Sequence, residues 1–334
     1  MSSINPLSSA PRNVQRYRDI AVLGGLFALV IVGLVGLALA TGWQETVTQI
    51  RRLSLWQIGV LLGLSLINYG FRGLRWHLFA RRLGLHTGLF QNMRHFIGGF
   101  AMSVTPGRIG ELVRMRWLRR ETGWSFERTA PLALVDRASD LVAMALILAM
   151  AVVLSATGFS GAIPVTIAAL IAAYVATRPS LLGGLAMFAY RLVGHWPRLF
   201  ARIRTAARSL QRFSNPTIMT AASALGLIGW LAEGFAFYML LMWMGADIAF
   251  WTAIGIFVFA TLAGGLTGAP GGVGGAEAAM IGLLMLEQVP LEISLPATLI
   301  IRVTTLWFAI GIGFLTFPFA ERASLKEHHA LENR

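Results

Sequence analysis

Thr105-Pro106-Gly107-Arg108-Ile109-Gly110-Glu111 and Ala269-Pro270-Gly271-Gly272-Val273-Gly274-Gly275-Ala276-Glu277 are two versions of one pattern, a Pro-Gly break followed by a glutamate, and each interrupts an apolar stretch. Proline lacks a backbone donor and glycine loses the most entropy on ordering, so a helix that runs into either motif stops and restarts beyond it. Pro106, Gly107 and Gly110 are the breakers of the first motif; Pro270, Gly271, Gly272, Gly274 and Gly275 are those of the second. Interrupted hydrophobic segments in matching places of two halves of a chain point to a transporter binding site, where broken helices aim their free termini at a substrate.

The sequence around the motifs is that of an integral membrane protein. Of its 334 residues 56% are hydrophobic and only 13% are charged, about half the charged share of an ordinary soluble domain, and the mean hydropathy is +0.67. Soluble fold classes are excluded, and an all-α membrane fold follows. The first apolar run, residues 20–40, comes after Arg12, Arg16 and Arg18 and ends in Ala38-Leu39-Ala40, which imitates a signal peptide. Its apolar core exceeds the roughly 7–15 residues of such peptides, so it reads as a retained span. The chain has no cysteine, which rules out disulfides, thiolate metal ligands and a cysteine nucleophile. The net charge of +13 sits in short segments between apolar runs, as the positive-inside rule expects, so nucleic acid is not the expected partner. His77, His86 and His95 lack metal-site spacing, and no P-loop, nucleophile elbow or dinucleotide fingerprint occurs. No metal, no cofactor and no catalytic residue is expected.

Apolar runs cover residues 20–40, 54–71, 89–105, 131–156, 162–177, 217–243, 250–288 and 294–319. Basic clusters precede the first run, separate the second from the third (Arg72, Arg75, Arg81, Arg82), follow the third (Arg114, Arg116, Arg119, Arg120, Arg128) and extend from Arg178 to Arg212. A complete crossing by the third run places its two flanking clusters in opposite compartments, against the loop bias. A re-entrant hairpin removes the conflict. The same treatment of the seventh run gives six full spans and two re-entrant hairpins, arranged as an inverted repeat with halves of about 20–156 and 162–320, and with tails 1–19 and 321–334 in the cytoplasm. Eight full spans are the alternative. Within the connection 178–216, residues 181–190 and the arginines after them read as an amphipathic helix on the inner leaflet or as a solvated linker. Gly59 and Gly63 form a GxxxG pair, which predicts close helix packing.

Ionisable residues within apolar spans are costly, so they are paired or functional. Asp136, Arg137 and Asp140 share the fourth run; Arg137 and Asp140 are three apart and predict a local pair. Glu233 and Arg302 lie inside the sixth and last runs, as an interhelical pair or as substrate-facing groups. Glu111 and Glu277 follow the breaks, where a carboxylate complements the free N–H groups and dipole of a restarting helix. Alternatively those restarting ends build an anion site, with Arg108 gripping a phosphate bidentately. Arg108, Glu111, Arg114, Asp136, Arg137, Glu233, Glu277 and Arg302 form the expected substrate path.

The two motifs, TPGRIGELVR at 105–114 and APGGVGGAEA at 269–278, with Asp136-Arg137 and Glu233 between them, resemble the lysylphosphatidylglycerol synthase transmembrane-region family over about residues 20–320. The resemblance implies a flippase-like role in the bacterial inner (cytoplasmic) membrane, with membrane lipids, above all anionic phospholipids, as partners and no nucleic acid. The synthase carries a further aminoacyltransferase domain; the present chain ends at Arg334, so lipid aminoacylation is not expected of it. The alternatives from the residues alone are a small-solute or ion transporter on the same inverted repeat and an intramembrane lipid-modifying enzyme using a carboxylate base. A homo-oligomer is open.

Overall fold

Ser54 and Gln57 start the first described helix reciprocally: the Gln57 N–H donates to the Ser54 hydroxyl and the Ser54 N–H to the Gln57 side chain. That helix, α1 (Leu55–Leu83), ends at Gly84, whose φ of 96° is left-handed. The computed structural model describes residues 48, 51, 53–103, 109–155, 162–194 and 210–332, all in the unit formed by residues 45–334, and every regular element among them is helical. The expected span at 20–40 lies outside the described residues.

After α1 come α2 (Leu89–Gly98), which tightens into a 3-10 turn at Gly99–Met102, and α3 (Ile109–Thr122), on the far side of the first breaker motif. Next are α4 (Phe126–Leu154), α5 (Ala162–Thr177), α6 (Pro179–Val193) and α7 (Pro216–Trp243). Asn215 caps α7 by accepting from the Thr217 N–H, with Pro216 in the first turn, where its missing donor costs nothing. The second breaker motif separates α8 (Phe250–Leu266) from α9 (Gly275–Leu286), with a 3-10 turn at Pro270–Gly272 between them. The last helix is made of α10 (Leu291–Arg302), a π-helical turn at Val303–Trp307 and α11 (Phe308–Glu332).

Phe126–Leu154, Pro216–Trp243 and Leu291–Glu327 are each long and apolar enough to cross a membrane. The arms next to the breaks are shorter. At 1.5 Å per residue α9 is about 18 Å long and α8 about 26 Å, against roughly 30 Å of hydrocarbon. Within each broken unit the backbones nearly touch: a Cβ on Gly110 would lie 2.5 Å from the Gly99 carbonyl oxygen, and one on Gly272 2.9 Å from the carbonyl carbon of Gly264. Gly272 also has φ of 68°, so glycine meets both a steric and a conformational demand there.

Packing interleaves the two stretches of chain. The longest contact runs between α1 and α7; α4 packs on α8 of the second broken unit, and α11 packs on α2 and the 3-10 turn of the first. Large apolar side chains such as Ile228, Phe235, Leu315 and Phe319 face outward, as lipid-facing surfaces require. Two expectations need correction. Among the described residues Gly59 and Gly63 pack on nothing, since a Cβ at either would meet none of them within 4 Å; the small residues that α7 sets against α1 are Gly226 and Gly229, which lie over Arg75 and over Asn68 and Arg72. The second span does not end at residue 71, because α1 continues to Leu83 and carries Arg72 and Arg75 into the protein interior. The seventh run, 250–288, divides at the motif, as its breakers predict. The amphipathic stretch at 181–190 is indeed helical, within α6, whose axis departs from that of α5 by 102°.

Candidate functional site

Both broken units open onto one cavity of about 390 Å³. The first contributes Gly99, Ser103, Gly110, Glu111 and Arg114; the second contributes Gly271 and Gly272. Between them the wall is completed by Tyr69 and Arg72 of α1, Arg137 and Asp140 of α4, Trp230 and Glu233 of α7, and Arg302. Sites between broken helices are where transporters place their substrates.

The charges are arranged as interhelical pairs. Asp140 accepts from Arg72 at 2.8 Å, from Arg75 at 2.7 Å and from the Trp230 indole N–H at 3.1 Å. Arg75, fully buried, also reaches Asp136 at 2.6 Å. The Arg72 guanidinium lies 4.8 Å from the centre of the Trp230 ring, a cation–π contact that orients it. Two aspartates four apart on α4 therefore face two arginines three apart on α1, one helical face against another. Each charge here is buried, so each is tolerable only because the partner is present.

Glu111 forms an ion pair with Arg137 Nε at 2.5 Å, joining the start of α3 to α4. On the other side Arg302 Nε donates to Glu277 at 2.6 Å, and its terminal nitrogen donates to the Gly271 carbonyl at 2.8 Å. The second oxygen of Glu277 accepts from the Gly274 N–H at 2.6 Å. Glu277 thus serves the restarting helix and the distant arginine together, one oxygen for each. The π turn after Arg302 displaces a backbone carbonyl from regular pairing, and the Tyr69 hydroxyl donates to it, on Thr305.

Two groups stand apart from this pairing. Among the described residues Arg114, 2% exposed, has no carboxylate partner; one nitrogen donates to the Phe96 carbonyl at 2.9 Å, and Nε and Nη1 find no hydrogen-bond partner there. Its guanidinium is held over aromatic faces, 4.4 Å from the centre of Phe96 and 5.3 Å from that of Trp76. A Cβ on Gly99 would lie 2.2 Å from Arg114 Nε, so this glycine makes room for the guanidinium. Glu233, 5% exposed, lines the cavity with no hydrogen bond or ion pair to any described residue.

Of the path read from the sequence, Glu111, Arg114, Arg137, Glu233 and Arg302 line the cavity, whereas Asp136 and Glu277 lie behind it and hold Arg75 and Arg302. Arg108, with Pro106 and Gly107, is outside the described residues. The Glu233–Arg302 pair does not form, because Glu277, closer in the fold, takes the arginine. The local Arg137–Asp140 pair exists only at 3.4 Å; helix-to-helix partners approach more closely. Arg72, Arg75, Tyr69 and Trp230 were not singled out in the sequence. The two arginines read as part of a loop cluster, although three apart they share one helical face, as Asp136 and Asp140 do four apart, and that shared face is the signal that finds them.

A second polar cluster fastens the ends of the first broken unit away from its break. Glu121 of α3 takes Arg94 at 3.0 Å and His95 at 2.9 Å, and also pairs with Gln91, all three on α2. Glu321 of α11 takes Arg116 at 2.8 Å, Arg120 at 2.7 Å and the Trp117 indole N–H at 2.7 Å. The unit is thereby fixed to the last helix while its broken end borders the cavity.

Comparison with known proteins agrees with this architecture. Two relatives, both named UPF0104 membrane protein, come from Methanothermobacter thermautotrophicus. One is 23% identical over 321 residues, covering 87% of this chain and 94% of the relative. The other is 30% identical over 118 residues, 35% of this chain and 35% of that relative's length. The model of the family described as "Lysylphosphatidylglycerol synthase TM region" matches residues 22–313. The broken units, the buried charges between them and this match over most of the chain have one conclusion: the protein is a multi-pass membrane protein that belongs to the lysylphosphatidylglycerol synthase TM region family.

Proposed function

We propose that this protein is a lipid translocator of the flippase type that moves a phospholipid or related anionic amphiphile between leaflets of the cytoplasmic membrane, by transport and not by catalysis. The convergence of both broken units on one charged cavity supports the reading most directly. Its volume of about 390 Å³ is at the small end of ligand pockets, enough for a polar headgroup but not for acyl chains as well. Leu266, which lines the cavity, is 88% exposed, so the polar chamber adjoins an outward apolar surface along which tails could remain in the bilayer. In this reading the broken units are re-entrant, the first from the cytoplasmic side and the second from outside, with six full spans around them and both termini cytoplasmic. Arm lengths below the bilayer thickness favour that arrangement.

The test is leaflet exchange of a fluorescent phospholipid in vesicles containing the purified protein, read by quenching from outside. Exchange faster than in protein-free vesicles, and slower with Glu111→Gln, which releases Arg137, is the expected result. Folded protein that leaves exchange at the protein-free rate for anionic and zwitterionic lipids refutes the proposal and moves the weight to a soluble solute.

A further inference from the structure

Internal pairing around the cavity is nearly complete, and what it leaves over is specific. Arg137 is matched by Glu111, Arg302 by Glu277, and Arg72 with Arg75 by Asp140 with Asp136. One guanidinium, Arg114, and one carboxyl, Glu233, remain without such a partner among the described residues, and both line the same cavity. The aromatic faces of Phe96 and Trp76 hold the Arg114 guanidinium, but cation–π contacts leave in-plane N–H groups unused. The two unused donors lie on different edges of the planar cation, so what Arg114 offers a phosphoryl oxygen is its unmatched charge and one charge-assisted hydrogen bond at a time.

We propose that the cavity binds a phosphodiester anion at Arg114 and that Glu233 takes up protons as it does so. The proposal rests on the reading that a headgroup enters this cavity, and adds to it the anchoring residue and a coupled ion. With Glu233 ionised, the five arginines Arg72, Arg75, Arg114, Arg137 and Arg302 are balanced by Glu111, Asp136, Asp140, Glu233 and Glu277. An arriving phosphodiester adds one negative charge, and conversion of the Glu233 carboxylate to the acid by a proton from solvent restores neutrality. The groups facing Glu233 are Tyr69 and Arg72 from α1, Asp140 from α4 and Arg302 from α10, while α8 brings no charged side chain to the cavity wall, Thr261 being polar and Phe257, Leu262 and Leu266 apolar. Arg72 and Arg302 are already committed to Asp140 and Glu277, so they do not fix Glu233 as an ion. A unit charge added on the order of 10 Å away, at an effective dielectric of about 20, changes proton affinity on the order of tenfold. Binding therefore strengthens as pH falls, reaches its limit once Glu233 is protonated without ligand, and weakens as pH rises through the titration of Glu233 in the complex.

The experiment is titration calorimetry of the full chain in detergent, over a pH series and in buffers of different ionisation enthalpy, so that protons taken up per ligand are counted. The probes are dihexanoyl phosphatidylglycerol and its deacylated headgroup glycerophosphoglycerol; neither diester titrates near neutrality, so any proton counted belongs to the protein. The expected result is uptake that peaks at about half a proton per ligand for wild type, the most that a tenfold change in proton affinity allows. Arg114→Gln weakens binding by about 10- to 100-fold, with Arg114→Lys intermediate. Glu233→Gln binds with no proton uptake and no pH dependence, near the low-pH affinity of wild type. Binding by the lipid alone assigns the anion to a headgroup, and equal binding by glycerophosphoglycerol assigns it to a soluble phosphodiester; both support the site. Wild-type binding without proton uptake at any pH, or undiminished binding by folded Arg114→Gln, overturns this proposal and leaves translocation standing. Failure of wild type to bind either probe removes the headgroup reading itself. If Arg114→Gln does not fold, Arg114→Lys and the proton count of Glu233→Gln decide.

Discussion

The Arg302–Glu277 pair offers the sharpest test of how the second broken unit is held. Nε and Oε1 are 2.6 Å apart with both side chains buried, which puts the charge centres on the order of 4 Å apart, equivalent to about 4 kcal/mol at an effective dielectric of about 20. Truncating one partner of a buried pair costs about 3–5 kcal/mol, largely because the other charge stays buried and unmatched. Glu277→Ala also frees the Gly274 N–H at the start of α9, which adds about 1 kcal/mol. Arg302→Ala leaves Glu277 still accepting from that N–H, so it is the milder change. The expected losses are about 4–6 kcal/mol for Glu277→Ala and about 3–5 kcal/mol for Arg302→Ala, with the double variant less destabilised than their sum by about 3 kcal/mol. Equilibrium unfolding in mixed detergent micelles measures all three. The absence of native cysteine lets a single introduced thiol report the transition without competing sites. Additivity within about 0.5 kcal/mol means that the two residues do not interact as described and refutes the account of how the turn is anchored.

Glycine substitutions separate conformational from steric demands. Gly268→Ala, with φ of 70° and none of the described residues within 4 Å of its Cβ, is expected to cost about 1–2 kcal/mol, whereas Gly272→Ala adds a backbone collision to a φ of 68° and costs more, in the same unfolding assay. Equal losses at the two positions would show that the close approach of Gly272 to Gly264 is absent. Gly59→Ala and Gly63→Ala, which meet none of the described residues, are expected to be neutral or stabilising by up to about 1 kcal/mol each, since alanine is the better helix former; a loss above that size points to a partner packed on this face.

Sequence alone determined those features that depend on neighbouring residues. Hydropathy over contiguous runs gives an all-helical membrane protein, because the bilayer leaves backbone groups no other way to be satisfied than helix or closed barrel. Proline and clustered glycine mark where helices stop and restart: one turn ends at Met102 with α3 starting at Ile109, and α8 ends at Leu266 with α9 starting at Gly275. A carboxylate three residues into a restarting helix is legible as well, and Glu277 fulfils that local role. What only the tertiary structure decided is which distant side chain completes each charge. Arg72 and Arg75 carry the same local signal as the loop arginines around them, and become interior residues because α4 presents Asp136 and Asp140 across from them. Gly59 and Gly63 have the spacing of a packing motif, but among the described residues it is Gly226 and Gly229 that occupy the interface with α1, since closeness is a property of two helices and not of one. Arg302 chooses Glu277 over Glu233, and Arg114 is left with aromatic rings and two unused donors, through the placement of elements far apart in the chain. Local sterics and hydropathy are written into consecutive residues; electrostatic matching at about 3 Å depends on how the helices pack against one another.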